Sequence, residues 1–194
     1  MKLHEATLSG LDVVLNEADF VGLAFDPVSK VATVTLMTPC LAGTTAPRQR
    51  ELQLLLHPVA RLVASLRHGH FHDRTAAVEP VTLEQLPDVV RSFGGQPVYG
   101  FSFFDQHDAE MAKWGDRLSL DRRDEARTGS HSVTLFQEGI DRHLDLCIWF
   151  DELEALDERG MRIRIEDLVD DGRAWWQAFR AGDHRTTGLG LFPL

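Results

Sequence analysis

The chain has 194 residues, 43% hydrophobic and 26% charged, which suits one domain with a packed core and argues against disorder. Its 30 acidic and 20 basic side chains leave a formal charge of −10, a balance unlike that of a phosphate-backbone binder. No run approaches the roughly 18 apolar residues of a spanning helix, and the opening Met1-Lys2-Leu3-His4 has no apolar signal region. A soluble, cytoplasmic protein without nucleic-acid or membrane partners is therefore expected.

In chain order, Leu11, Val13 and Leu15 alternate with Asp12, Val14 and Asn16, which predicts a first strand. Residues 20–25 and 31–37 flank Asp26-Pro27-Val28-Ser29-Lys30, whose turn chemistry predicts a β-hairpin. Residues 38–47 carry two prolines and no periodicity, and read as a loop. Leu52, Leu54 and Leu56 precede Pro58, and Leu62, Ala64 and Leu66 follow it, so a second hairpin is expected there. Thr82-Leu83-Glu84-Gln85 has the form of a capping box, and Leu86, Val90 and Phe93 continue at helical spacing. A short central helix over about 83–93 follows, cut short by Pro87.

Aromatic-rich residues 97–104 read as a strand, residues 105–117 as a polar stretch with a helical turn about Met111 and Trp114, and the charge-dense 118–129 as a loop. Residues 133–136 and 144–150 are the next strands. The Asp157-Glu158-Arg159-Gly160 turn then sends the chain back through 161–165 as a hairpin partner. An amphipathic C-terminal helix is expected over about 166–180, with Ile165, Leu168, Val169, Trp176 and Phe179 on one stripe and acids in its first turns. Gly172 inside it marks a close packing contact, and Trp175, about 100° round from Trp176, is expected to leave the stripe. The apolar tail 188–194 is expected to be held down. The fold class is thus α+β and β-dominated, a mostly antiparallel meander or hairpin sheet in a single domain over 1–194. A split near 75–95 is the alternative.

Two readings of function follow. Asp151, Glu152, Glu154, Asp157 and Glu158 form the acidic high point of the sequence, and with Trp175 they are the candidate interaction surface of a non-catalytic binding module, toward a protein partner or a second copy. No nucleophile elbow, phosphate loop or dinucleotide fingerprint is present. Cys40 and Cys147 sit in no C-x-x-C pair and read as reduced thiols. The alternative is a metal-dependent hydrolase or oxygenase. His68, His70 and His72 would share one face of a strand, and with Asp73 or His107 they could hold zinc or iron and leave a position open for water. The two ends of such a row lie about 13 Å apart on an extended strand, so the backbone would have to curl at Gly69. No cofactor is expected on the first reading.

Overall fold

Period-two burial along most of the chain builds a single sheet. The computed structural model describes residues 3–41, 48–70, 73, 75–98, 100–106 and 115–187. In chain order these form α1 (Glu5–Leu15), β1 (Asp19–Asp26), β2 (Val31–Cys40), β3 (Arg48–His68), α2 (Leu86–Ser92), β4 (Leu120–Arg123), β5 (His131–Glu138), β6 (Arg142–Asp157), β7 (Arg162–Ile163) and α3 (Ile165–Arg180). The strands make one seven-stranded curled antiparallel sheet in the order β1-β2-β3-β6-β5, with β4 added to β3 and β7 to β6. The α+β class and the antiparallel sheet agree with the sequence reading, as do the β1–β2 hairpin, the turn at 157–160, the short central helix and the C-terminal helix. Thr82 and Gln85 form half of the capping box: the Thr82 N–H donates to Gln85 Oε1 at 2.9 Å. Pro87 falls in the first turn of α2, where its missing N–H leaves no helical bond unmade.

Four sequence expectations are corrected. Residues 5–15 are helical: Leu11, Val14 and Leu15 are buried at i, i+3 and i+4, and the period-two reading had seen only every second one of them. The predicted second hairpin is one strand of 21 residues. β6 pairs with it from Leu52↔Asp157 to His68↔Arg142, so a single partner holds β3 straight through Pro58. The ladder shifts register between Val59 and Arg61, and a proline in a sheet is tolerated at such a bulge. Inward residues are even-numbered on β6 up to Phe150 and odd from Leu153, so the sheet kinks where a turn was expected. Residues 97–104 make only isolated bridges, Asp19↔Pro97 and Phe104↔Val133, in place of a strand. Within the predicted loop 118–129, β4 pairs with β3, and the Arg61 guanidinium donates both Nε and Nη2 to Asp121 across the ladder. The expected turn about Met111 and Trp114 and the tail 188–194 lie outside the described residues.

The inward side of the sheet, the helices and the 98–104 segment share one hydrophobic cluster, including Phe20, Leu36, Leu54, Leu62, Phe103, Leu146, Phe150 and Leu168. α1 and α3 lock by a reciprocal exchange of glycine and valine. A Cβ on Gly10 would lie 2.5 Å from Val169 Cγ1, and one on Gly172 would lie 2.6 Å from Val14 Cγ2. Each glycine is thus the hole for the other helix's valine, as the sequence reading of Gly172 anticipated. The buried stripe of α3 runs Leu168, Gly172, Trp175, Phe179, so Trp175 is in the core and stacks on Phe179 with ring centroids 5.2 Å apart. Trp176 is the half-buried neighbour, its indole N–H donating to the Val13 carbonyl at 2.9 Å. The predicted roles of the two tryptophans are therefore exchanged, because the stripe is centred on Gly172 and turns Trp175, three residues on, inward.

Candidate functional site

His68 and His70 do not share one strand face, because β3 ends between them. His68 is the last strand residue, and its Nε2 lies 2.9 Å from Glu79 Oε2. Gly69, at φ +100°, turns the chain, and its N–H donates to the Asp141 carbonyl, so His70 is not on the same extended run. Asp73 bends back on its own segment, where Oδ1 accepts the N–H and the hydroxyl of Thr75, both at 2.7 Å, and these bonds hold its pKa below the ordinary carboxylate value. Among the described residues no three His, Cys, Asp or Glu side chains are arranged to hold a metal ion. His72 and His107 lie outside the described residues.

The acidic run is largely partnered within the fold. Asp151 accepts the Ser130 N–H and hydroxyl at 3.0 Å and lies 3.4 Å from Arg127. Glu154 pairs with Arg162 at 2.9 Å and sits 3.5 Å from His57. Asp157 Oδ1 accepts the N–H groups of Arg159 and Met161 and closes the turn in which Gly160 takes φ +74°. Glu152 stands opposite His57 on the ladder, and Glu158 is exposed at the turn. Trp175, placed on this surface from sequence, is 1% exposed and no part of it.

Two polar clusters join residues far apart in sequence and carry no local signature. In the first, His131 is buried, with Nδ1 2.9 Å from Asp105 Oδ2 and Nε2 accepting the Leu3 N–H at 3.3 Å. Asp105 Oδ1 also accepts the Ser132 N–H. Beside it, Asp12 accepts the Phe103 N–H, and burial raises its pKa against the opposing pull of that bond. A cleft of about 480 Å³ opens here between α1 and the 104–105 segment. In the second cluster, Arg67 on β3 forms a buried ion pair with Asp145 on β6, and His143 Nδ1 donates to the Gly69 carbonyl at 3.1 Å. The other ring nitrogen, Nε2, is buried without a partner, and so is Arg67 Nε. Burial first, then the charge of Arg67, pushes the His143 pKa below its ordinary 6.5, so the ring is neutral at pH 7.

A third feature lies at the far end of the sheet. β3 begins before β6 ends, since Leu52 is already opposite Asp157, so Arg48 to Glu51 project past β6 toward the 157–160 turn and α3. Arg48 and Arg50 continue the inward side of Leu52, Leu54 and Leu56, and guanidinium groups stand where further leucines would extend the core. The cleft they border has a volume of about 420 Å³. Cys40, Leu41 and Ala174 supply its apolar lining, and Arg159, Glu51, Asp157, Glu158 and Asp171 join the two arginines in lining the rest. Two of the predicted surface acids, Asp157 and Glu158, thus reappear here beside Arg48 and Arg50, which the sequence reading had not connected to them. The register of β2, β3 and β6 makes the connection, and no local pattern encodes it.

Compared with protein-family models, curated proteins and solved structures, the chain matches none of them.

Proposed function

We propose that this chain is a non-catalytic protein-binding module whose recognition face is the charged cleft at the end of the sheet. The observation that carries the reading is the makeup of that cleft: an apolar patch among three guanidinium and four carboxylate groups, bordered by the ends of β2 and β3, the 157–160 turn and α3. Interfaces of this kind exclude water over an apolar centre and set partner and register with a charged rim. The nucleophile and acid–base residue types elsewhere support the same reading, because His131, Asp105, Asp145 and Arg67 are spent on bonds that tie segments together. No helix among the described residues is long and apolar enough to cross a membrane.

The test is a photo-crosslinking side chain introduced at Ala174, in the cleft, and at exposed Glu84, on the segment before α2, in cells that make the protein. A discrete protein adduct is expected from position 174, absent from position 84 and weakened by salt. Equal or no labelling at the two positions overturns the reading. Stoichiometric zinc or iron in protein purified without a tag, lost when His68 and His70 are replaced, would overturn it in favour of metal-dependent catalysis.

A further inference from the structure

We infer that the cleft recognises a single carboxylate, presented by an acidic side chain in an extended segment of the partner; this rests on the binding reading above. The donors and acceptors of the cleft are unequally committed. Asp171 Oδ2 accepts from Arg50 Nη1 at 2.9 Å, Glu51 Oε1 accepts the Gln53 amide at 2.9 Å, and Asp157 Oδ1 is taken by two N–H groups of its turn. The arginines are freer. Among the described residues no ion pair holds the guanidinium of Arg48 or Arg159, and Arg50 Nε is buried with no acceptor at all.

A guanidinium fork matches a carboxylate with two parallel bonds, and charge-assisted bonds of this kind are about twice as strong as neutral ones. An apolar wall beside the fork lowers the local dielectric and strengthens them further. The lining carries four carboxylates against three guanidinium groups, so the preference for an anion comes from the uncommitted donors of Arg48, Arg159 and Arg50 Nε and not from net charge. Glu158, exposed on the rim, has no bonded partner among the described residues and repels a second negative charge. A lone carboxylate flanked by neutral or apolar residues is therefore favoured over a polyanion or a phosphate dianion, in keeping with the chain's net charge of −10.

The experiment is a titration of the ¹⁵N-labelled protein, followed by amide shifts at Cys40, Arg48 and Ala174. The probes are three seven-residue peptides of one apolar sequence with a central Glu, Gln or Lys, and inorganic phosphate. The Glu peptide is expected to bind and shift these amides, the Gln peptide to bind at least tenfold more weakly, and R48A and R159A each to weaken the Glu peptide by about tenfold. Both arginines are exposed, so the variants are expected to fold, which their unchanged remaining spectra would show. Phosphate binding as tightly as the Glu peptide overturns the peptide assignment and leaves a simple anion site. A preference for the Lys peptide, lost in E158Q, overturns the charge assignment while leaving the binding reading intact. Absence of any peptide binding overturns the inference alone, since the crosslinking at Ala174 judges the binding reading independently.

Discussion

The two halves of the β3–β6 ribbon solve different problems with the same two strands. Toward the cleft, residues 51–57 and 152–156 alternate between buried and open positions, and the outward row carries Gln53, His57, Glu152 and Glu154 at the solvent boundary. Beyond the kink at Pro58, residues 62–67 and 143–148 are buried without a break, so both faces of the sheet are covered. There the outward row is Val63, Ser65 and Arg67 opposite Cys147, Asp145 and His143, and each polar group needs a partner inside the protein. Ser65 donates to the Arg117 carbonyl at 2.6 Å, Arg67 pairs with Asp145, and His143 donates to Gly69. The lesson is that an ion pair's worth depends on which half it occupies.

The sharpest break of that comparison is Asp145→Ala against Glu154→Gln, followed by urea unfolding. Removing Asp145 strands a buried guanidinium and is expected to cost about 3–5 kcal/mol, whereas Glu154 holds Arg162, which is 77% exposed, and its loss is expected to cost less than about 1 kcal/mol. Equal losses would erase the distinction. Trp175→Ala is expected to cost about 3–5 kcal/mol and Trp176→Ala clearly less, because only the first ring is enclosed by the helix layer. A smaller effect is expected from Gly172→Ala, about 1–3 kcal/mol by overpacking against Val14, with Val14→Ala in the same chain restoring part of the loss.

His143 gives the doubly covered half a dependence on pH. Its folded-state pKa lies below the unfolded value of 6.5, so as pH falls past 6.5 the unfolded chain takes up a proton that the folded chain refuses. Stability from this group is complete above 6.5 and declines below it. Melting temperatures measured from pH 7.5 to 5 are expected to fall less steeply in His143→Gln than in the parent; parallel curves would remove His143 as the cause.

How much of this was legible depended on whether a signal was local. The β1–β2 hairpin, the Asp157-Glu158-Arg159-Gly160 turn, the capping box at Thr82 and the stripe of α3 all lie within a few residues, where turn chemistry and periodicity act directly. α1 was lost because Leu11 and Leu15 satisfy both a helical and an alternating pattern, and only burial of Val14 separates them. β3 was cut in two because a proline marks a break in the chain's own bonding, while the partner that spans the break, β6, lies far along the sequence. The cleft was invisible for the same reason. Arg48, Arg159 and Asp171 meet only through the register of three strands and the docking of a helix, whereas His68 and His70, conspicuous in sequence, are separated by the turn at Gly69.

The length of β3 also sets a timetable. As the chain leaves the ribosome, β1 and β2 are both available before β3 emerges, and β2 can take up residues 48–56 on one side. The other side of β3 stays bare until β6 is synthesised, a wait on the order of ten seconds at ordinary rates of elongation. For that interval Leu52, Leu54, Leu56, Leu62 and Leu66 line an unpaired strand edge, and the stretch that ends most deeply enclosed is, during birth, the one most open to pairing with a neighbouring nascent chain.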